Sequence, residues 1–179
     1  MAANLDLLVP ELKTKIAQLV NRCADRGFTM RPSAGFRDPF EQAKLWRQSR
    51  SIEEIRAMIK ELRAAGADFL AYCIESVGPQ HGDPVTNAIP GYSWHQWGEA
   101  VDCFWLLNGK AEWSTTKLVG GFNAYRVYAQ DAVKVGLFAG GNWTRLKDWP
   151  HVQLRPDASP AKIMSVSQVN STMKSNFGS

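Results

Sequence analysis

The chain has 179 residues, of which 45% are hydrophobic and 21% charged, a size and balance suited to one soluble domain with its own core. No stretch approaches the ~18 apolar residues of a membrane span. The net charge of +4 favours anionic partners in general, but the basic residues are scattered, with no run of five, so nucleic-acid binding is not expected.

The opening MAANLDLLVPELKTK lacks a basic start, and Glu11, Lys13 and Lys15 interrupt its apolar run. It does not read as a signal peptide, and synthesis in a cytoplasm without Sec export is the expectation. Leu8, Leu12, Ile16, Leu19 and Cys23 recur at helical spacing and predict a helix over 8–25, closed by Gly27. An extended run follows over 28–36. Asp38-Pro39 supplies an N-cap and a proline at the first helical position for a second helix, 39–48. Ser51 opens a third, with Ile52, Ile55, Ile59 and Leu62 on one side, to about Ala65, and Gly66 breaks it. A short helix over 67–76 comes next. The segment 77–93 carries three prolines and three glycines and reads as a long loop.

Residues 98–106 alternate and predict a strand. Asn108-Gly109 is a hairpin turn, with a return strand over 111–113. A helix over 122–135 ends at Gly136, Gly140-Gly141 makes a turn, and 151–154 reads as a last strand. The tail beyond Pro156 is polar, with a helix over 160–169. Cys23, Cys73 and Cys103 are odd in number and lack paired spacing, so they are expected to be buried or idle thiols rather than a disulfide framework. There is no internal repeat, linker or second module, and the class expected is α+β.

The chemistry gathers around SWHQWGEAVD, 93–102, and DWPH, 148–151. A catalytic zinc centre takes three ligands from histidine, cysteine or carboxylate and keeps one position open. His95 and Asp102 are two candidates. In a regular strand Gly98, Ala100 and Asp102 share a face, and His95 is out of phase by one. It must approach from the loop before the strand, leaving Gly98 and Ala100 as an open floor beside Asp102. Pro150 argues against a helix over DWPH, so a turn entering a strand would bring Asp148 and His151 to one point. The plain alternatives stay open on these residues alone: a histidine beside an aspartate is usually a satisfied polar pair, and small residues at 98 and 100 could serve close packing. Glu99 and Asp102 fall on opposite strand faces, which argues against the paired carboxylates of a glycosidase. The tryptophans near these motifs read as core packing in preference to carbohydrate stacking.

Ser93 to Asp102 fits SxHxxGxAxD, Asp148 and His151 fit an acidic residue three before a histidine, and Ser33-Ala34-Gly35-Phe36-Arg37 resembles SxGYR with Phe for Tyr. Gln42 and Leu45 continue the likeness. In this order the chain resembles the zinc D-alanyl-D-alanine carboxypeptidase and dipeptidase family, and within it the phage L-alanyl-D-glutamate endopeptidases. The resemblance implies a small antiparallel sheet carrying a zinc site and flanked by helices. It implies His95, Asp102 and His151 as Zn²⁺ ligands and Asp148 as catalytic acid/base. Arg37 would bind substrate or stabilise the transition state, and Ser93 would support the site or touch substrate. His81 matches no motif position and is expected to be a loop histidine.

The resemblance also implies a peptidoglycan stem peptide as substrate. The short chain, the aspartate at 148 and the SAGFRDPFEQAKLW stretch favour an endolysin cutting the L-Ala–D-Glu bond during host lysis. Such a protein would be one catalytic domain over 1–179 with no separate wall-binding module, and a monomer. It would be made in the host cytoplasm and reach the periplasm and wall through a holin-type lesion, without inserting stably in the membrane. The alternatives are a D-Ala-D-Ala carboxypeptidase or dipeptidase, and a zinc- or peptidoglycan-binding module without catalysis.

Overall fold

A computed structural model describes residues 3–178. In chain order the elements are α1 (Pro10–Asp25), β1 (Thr29–Ala34), α2 (Pro39–Arg47), α3 (Ile52–Ala64), α4 (Asp68–Ser76), β2 (Ala100–Leu107), β3 (Lys110–Glu112), α5 (Ala124–Lys134), β4 (Phe138–Ala139), β5 (His151–Gln153) and α6 (Val166–Phe177). Short 3-10 turns cover Trp94–Trp97, Gly140–Asn142 and Pro160–Lys162. The class is α+β, as expected. No helix among the described residues is long and apolar enough to cross a membrane.

The chain divides into two compact units. The first takes the described residues up to Phe36 and residues 98–156. Its sheet is antiparallel throughout, in the order β1-β2-β5-β4, with β3 pairing β2. Strand β2 has two distinct faces because successive side chains point to opposite sides. Val101, Cys103 and Trp105 are buried and join Leu12, Ile16, Leu19 and Cys23 of α1 and Tyr125 and Tyr128 of α5 in one core. Asp102 and Phe104 point the other way and are half-buried. Beneath α1 and α5, the buried carboxylate of Asp131 receives Lys134 at 2.7 Å and Arg26 at 3.2 Å, tying the two helices together.

The second unit takes 37–97 and the described residues from Asp157 onward. Trp46, Ile55, Leu62, Leu70, Ile74, Val169 and Met173 form its core. Helices α2 and α3 start at capping boxes, Asp38 with Glu41 and Ser51 with Glu54, in which side chain and backbone satisfy each other's free N–H groups. Helix α4 has no such signal. Its first N–H groups are capped from elsewhere, by Oδ1 of Asn170 on α6, which accepts from Phe69 N at 3.0 Å and Leu70 N at 3.2 Å.

Two expectations move, and one strand was not expected at all. The predicted strand over 98–106 begins at Ala100, because Gly98 has φ +68° and cannot continue a strand. The tail helix lies at 166–177 rather than 160–169, since Ser165 and Gln168 form a capping box that sets its start and Pro160 opens only a 3-10 turn. Strand β4 is too short, at two residues, to show any alternation in the sequence.

Candidate metal centre

Strand register builds half of the site. Asp102 on β2 stands directly opposite His151 on β5, and directly opposed side chains in an antiparallel pair touch. Nδ1 of His151 lies 2.9 Å from Oδ1 of Asp102. His151 is buried and Asp102 keeps 23% of its side chain exposed. Burial alone would lower the His151 pKa, but the hydrogen bond and charge of Asp102, the charge of Asp148 and the bond to Gln153 outweigh it and hold it above its usual value.

DWPH folds as the proline requires. Residues 149–150 form a turn and His151 begins β5, with its backbone N–H donating to the Asp148 carbonyl at 3.2 Å. Asp148 is exposed. A neighbour not visible as such in the sequence lets it approach: a Cβ on Gly140 would meet the Asp148 carbonyl oxygen at 2.4 Å, and one on Gly141 would meet the Trp149 ring at 2.4 Å. The Gly140-Gly141 pair is therefore more than a turn; it is a bare backbone surface on which Asp148 and Trp149 sit. The Trp143 ring lies 5.4 Å from that of His151.

His95 does come from before the strand. It sits in the 3-10 turn Trp94–Trp97 and is buried, with 3% exposure. Ser93 supports that turn: its carbonyl accepts from Gln96 N at 3.1 Å and its Oγ from His95 N at 3.4 Å. Arg37 donates its backbone N–H to the His95 carbonyl at 3.3 Å, and its Nη1 to Oε1 of Gln42 at 2.9 Å. That same oxygen accepts from Nε2 of Gln96 at 3.0 Å, while Oε1 of Gln96 accepts from Gly91 N and Ser93 N. Two buried amides, Gln42 and Gln96, thus tie Arg37 to the loop that carries His95. Gln96 was not singled out by the motif reading, and neither was Gln153, although a residue two after His151 on a strand shares its face.

His95, Asp102 and His151 form a group that could hold a metal ion, one ligand atom from each lying within 4.8 Å of the others. Two imidazole nitrogens and a carboxylate oxygen are the donor set of a catalytic zinc centre with one open position. The partner of the far side of His151 fits as well: Nε2 meets Oε1 of Gln153 at 2.9 Å, the outer contact that metal-bound imidazoles characteristically make.

The floor expected at Gly98 is not what that glycine provides. A Cβ there would meet the Leu7 carbonyl at 2.7 Å and the Val9 nitrogen at 3.3 Å, and Gly98 accepts a hydrogen bond from Val9 N at 3.0 Å. The residue serves a close approach of two backbones, one of the alternatives the motif left open. Trp94 and Trp105 are buried, in line with core packing, whereas His81 is exposed. Cys23, Cys73 and Cys103 are buried, and burial pushes each thiol up to about 12, so none is a nucleophile. Glu99 is engaged by Arg155 at 2.9 Å.

An α+β chain with a His-Asp-His donor group and an exposed carboxylate beside one of the histidines has the makings of a metallopeptidase. The sequence matches the VanY family, D-alanyl-D-alanine carboxypeptidase, over residues 6–140, and the chain belongs to that family as one of its metallopeptidases. Asp148 and His151 lie just beyond the matched stretch. The chain is similar to the peptidoglycan L-alanyl-D-glutamate endopeptidase CwlK of Bacillus subtilis, with 24% identity over 165 residues, 84% of this chain and 75% of CwlK. Among solved structures it is similar to the L-Ala D-Glu endopeptidase ChiX of Serratia marcescens (20% identity, TM-score 0.42, covering 85% of this chain and 84% of ChiX). It is also similar to a mutant vancomycin-resistance D,D-pentapeptidase VanY in complex with Zn(II) (15% identity, TM-score 0.45, covering 92% of this chain and 78% of that one).

Proposed function

We propose that this protein is a zinc-dependent peptidoglycan hydrolase that cleaves the L-alanyl–D-glutamate bond of stem peptides, as a phage endolysin does in host lysis. The observation that carries the reading is the His95, Asp102 and His151 donor group with Asp148 bonded through its carbonyl to His151. The name of CwlK, an L-alanyl-D-glutamate endopeptidase, supports the choice of bond.

When bound, zinc supplies a Lewis acid and a water of lowered pKa. Asp148 is the proton carrier. Exposed beside His151, it would take a proton from the attacking water and return it to the leaving amine. The Arg37 guanidinium, held at Gln42, offsets the negative charge that grows on the substrate carbonyl oxygen. Ser93 acts through the turn it stabilises, keeping His95 in place. The phage setting adds a holin-type lesion as the route to the wall, and the protein would act as a monomer.

The family description favours a second reading, a D-Ala-D-Ala carboxypeptidase. Digestion of purified muropeptides followed by mass spectrometry separates the two. New N-terminal D-glutamate is the expected product. Released D-alanine would establish the carboxypeptidase instead, and no product with added zinc would leave a binding module.

A further inference from the structure

The sheet face that points away from the core carries a second row of side chains beside Asp102. Strand alternation puts Asp102 and Phe104 on the same side of β2, about 7 Å apart for two strand residues. Arg31 of β1 stands directly opposite Phe104 and is exposed, and directly opposed side chains lie on one face. On the other side of β2, Trp105 pairs with Glu112 of β3, so Trp113, one residue on, comes level with Phe104. The Phe104 and Trp113 rings lie 5.9 Å apart, tilted by 42°. Trp113 is nevertheless 55% exposed, while Trp105 on the opposite face is 2% exposed and fills the core. Core packing therefore explains one of these tryptophans and not the other.

We propose that Arg31, Phe104 and Trp113 form a saccharide subsite that holds the glycan ring from which the stem peptide hangs. The inference rests on the L-Ala–D-Glu reading above, and length argues for it. In peptidoglycan the L-alanine joins its sugar through a lactyl group, which is as long as one residue. The carbonyl to be cut and the sugar are then two residue lengths apart, roughly 7 Å when extended, which matches the separation of Phe104 from Asp102 along β2. A D-Ala-D-Ala end lies three residues further along the stem and would bring no sugar to this row. The side chains suit a pyranose: its C–H face packs on an exposed indole, and its hydroxyl and N-acetyl oxygens accept from the guanidinium. A lipid surface is the competing occupant, because Leu118, Val119 and Phe122 in the loop after Trp113 are exposed as well. Trp113, however, lies against Phe104 in the register of the sheet, with a cation across the strand, and not at the tip of that loop.

The test compares two substrates with the same stem: the disaccharide-linked peptide and the free peptide acetylated on its L-alanine. The readout is the ratio of their kcat/KM values. In the zinc-loaded wild type the disaccharide form should be cut faster by roughly 3–10-fold, the range of a single stacking contact. Trp113→Ala should bring the ratio close to one, and Trp113→Phe should restore most of it. A wild-type ratio of one overturns the subsite, and so does a Trp113→Ala ratio equal to that of wild type. If neither substrate is cut, the L-Ala–D-Glu reading fails, and binding decides the subsite on its own. The Trp113 indole N–H signal, assigned by its loss in Trp113→Phe, is then titrated with the free N-acetylglucosamine–N-acetylmuramic acid disaccharide and, separately, with phosphatidylethanolamine–phosphatidylglycerol vesicles. A signal moved by the disaccharide supports the proposal. One moved by vesicles alone, or by neither, overturns it.

Discussion

Gly98→Ala should destabilise the protein through a backbone contact rather than through the metal. Two costs add. At φ +68° an L-residue pays roughly 1–2 kcal/mol for the left-handed conformation. The new Cβ would also stand 2.7 Å from the Leu7 carbonyl and 3.3 Å from Val9 N. Both are backbone atoms that cannot swing aside, and such overpacking costs about 1–3 kcal/mol. The sum is about 2–5 kcal/mol. Gly27→Ala is the matched control, with φ +83° and no atom within 4 Å of the added Cβ, so it carries only the conformational part. Urea unfolding followed by circular dichroism should show Gly98→Ala less stable than Gly27→Ala by about 1–3 kcal/mol. Equal losses would refute the close approach as the reason for the glycine. A Gly98→Ala protein of ordinary stability with weakened zinc binding would restore the metal-floor explanation.

The remaining predictions concern the site and the helix clamp. Asp148→Ala should bind zinc as wild type does and lose at least roughly 10²-fold in muropeptide turnover; retained turnover removes Asp148 from the mechanism. His95→Ala should lose stoichiometric zinc, read by atomic absorption after dialysis, and a variant with a full complement would show that His95 is no ligand. Asp131 titrates low: burial would raise it, but its bonds from Lys134 and Arg26 prevail. A depressed folded pKa means its stabilisation is complete above the usual carboxyl value near ~4 and is lost as pH falls through the lower folded value. Asp131→Asn should therefore cost on the order of 1–2 kcal/mol at pH 7, discounted because its cationic partners are partly exposed. Between about pH 4 and 2 the variant and wild type should converge in urea midpoint; a gap that stays constant down to pH 2 would show that the charge of Asp131 is not what matters.

What the sequence made legible was local. Caps at Asp38 and Ser51, the stop at Gly66 and the hairpin at Asn108-Gly109 each depend on a few adjacent residues, and each stands where the chain itself signals it. The offset of His95 from the strand also followed from counting alone. The illegible parts depend on partners far away along the chain. Nothing near Ala67 announces that Asn170 will cap α4, and nothing near Gly98 announces Leu7. For that reason a glycine inside a metal-site motif invited a metal explanation, when the constraint on it came from the segment before α1.

The half-site made by Asp102 and His151 is a product of register, and the core fixes the register. Val101 and Val152 stand opposite each other, both fully buried, one step along from the Asp102–His151 pair. Because side chains alternate with period two, the pairing that sends these valines into the core sends Asp102, and with it His151, to the other face. A slip of one residue between β2 and β5 would expose a valine and bury an aspartate on the apolar side. The hydrophobic penalty of that slip therefore protects the pairing of Asp102 with His151 and the 2.9 Å contact between them. Gln153 extends the same logic one pair further: opposite Ala100, it has room to turn its amide along the strand toward His151 and Arg155. In this motif Ala100 has a use that Gly98 does not share. It is the small residue on the Asp102 face, set across the ladder from Gln153, whose amide meets His151.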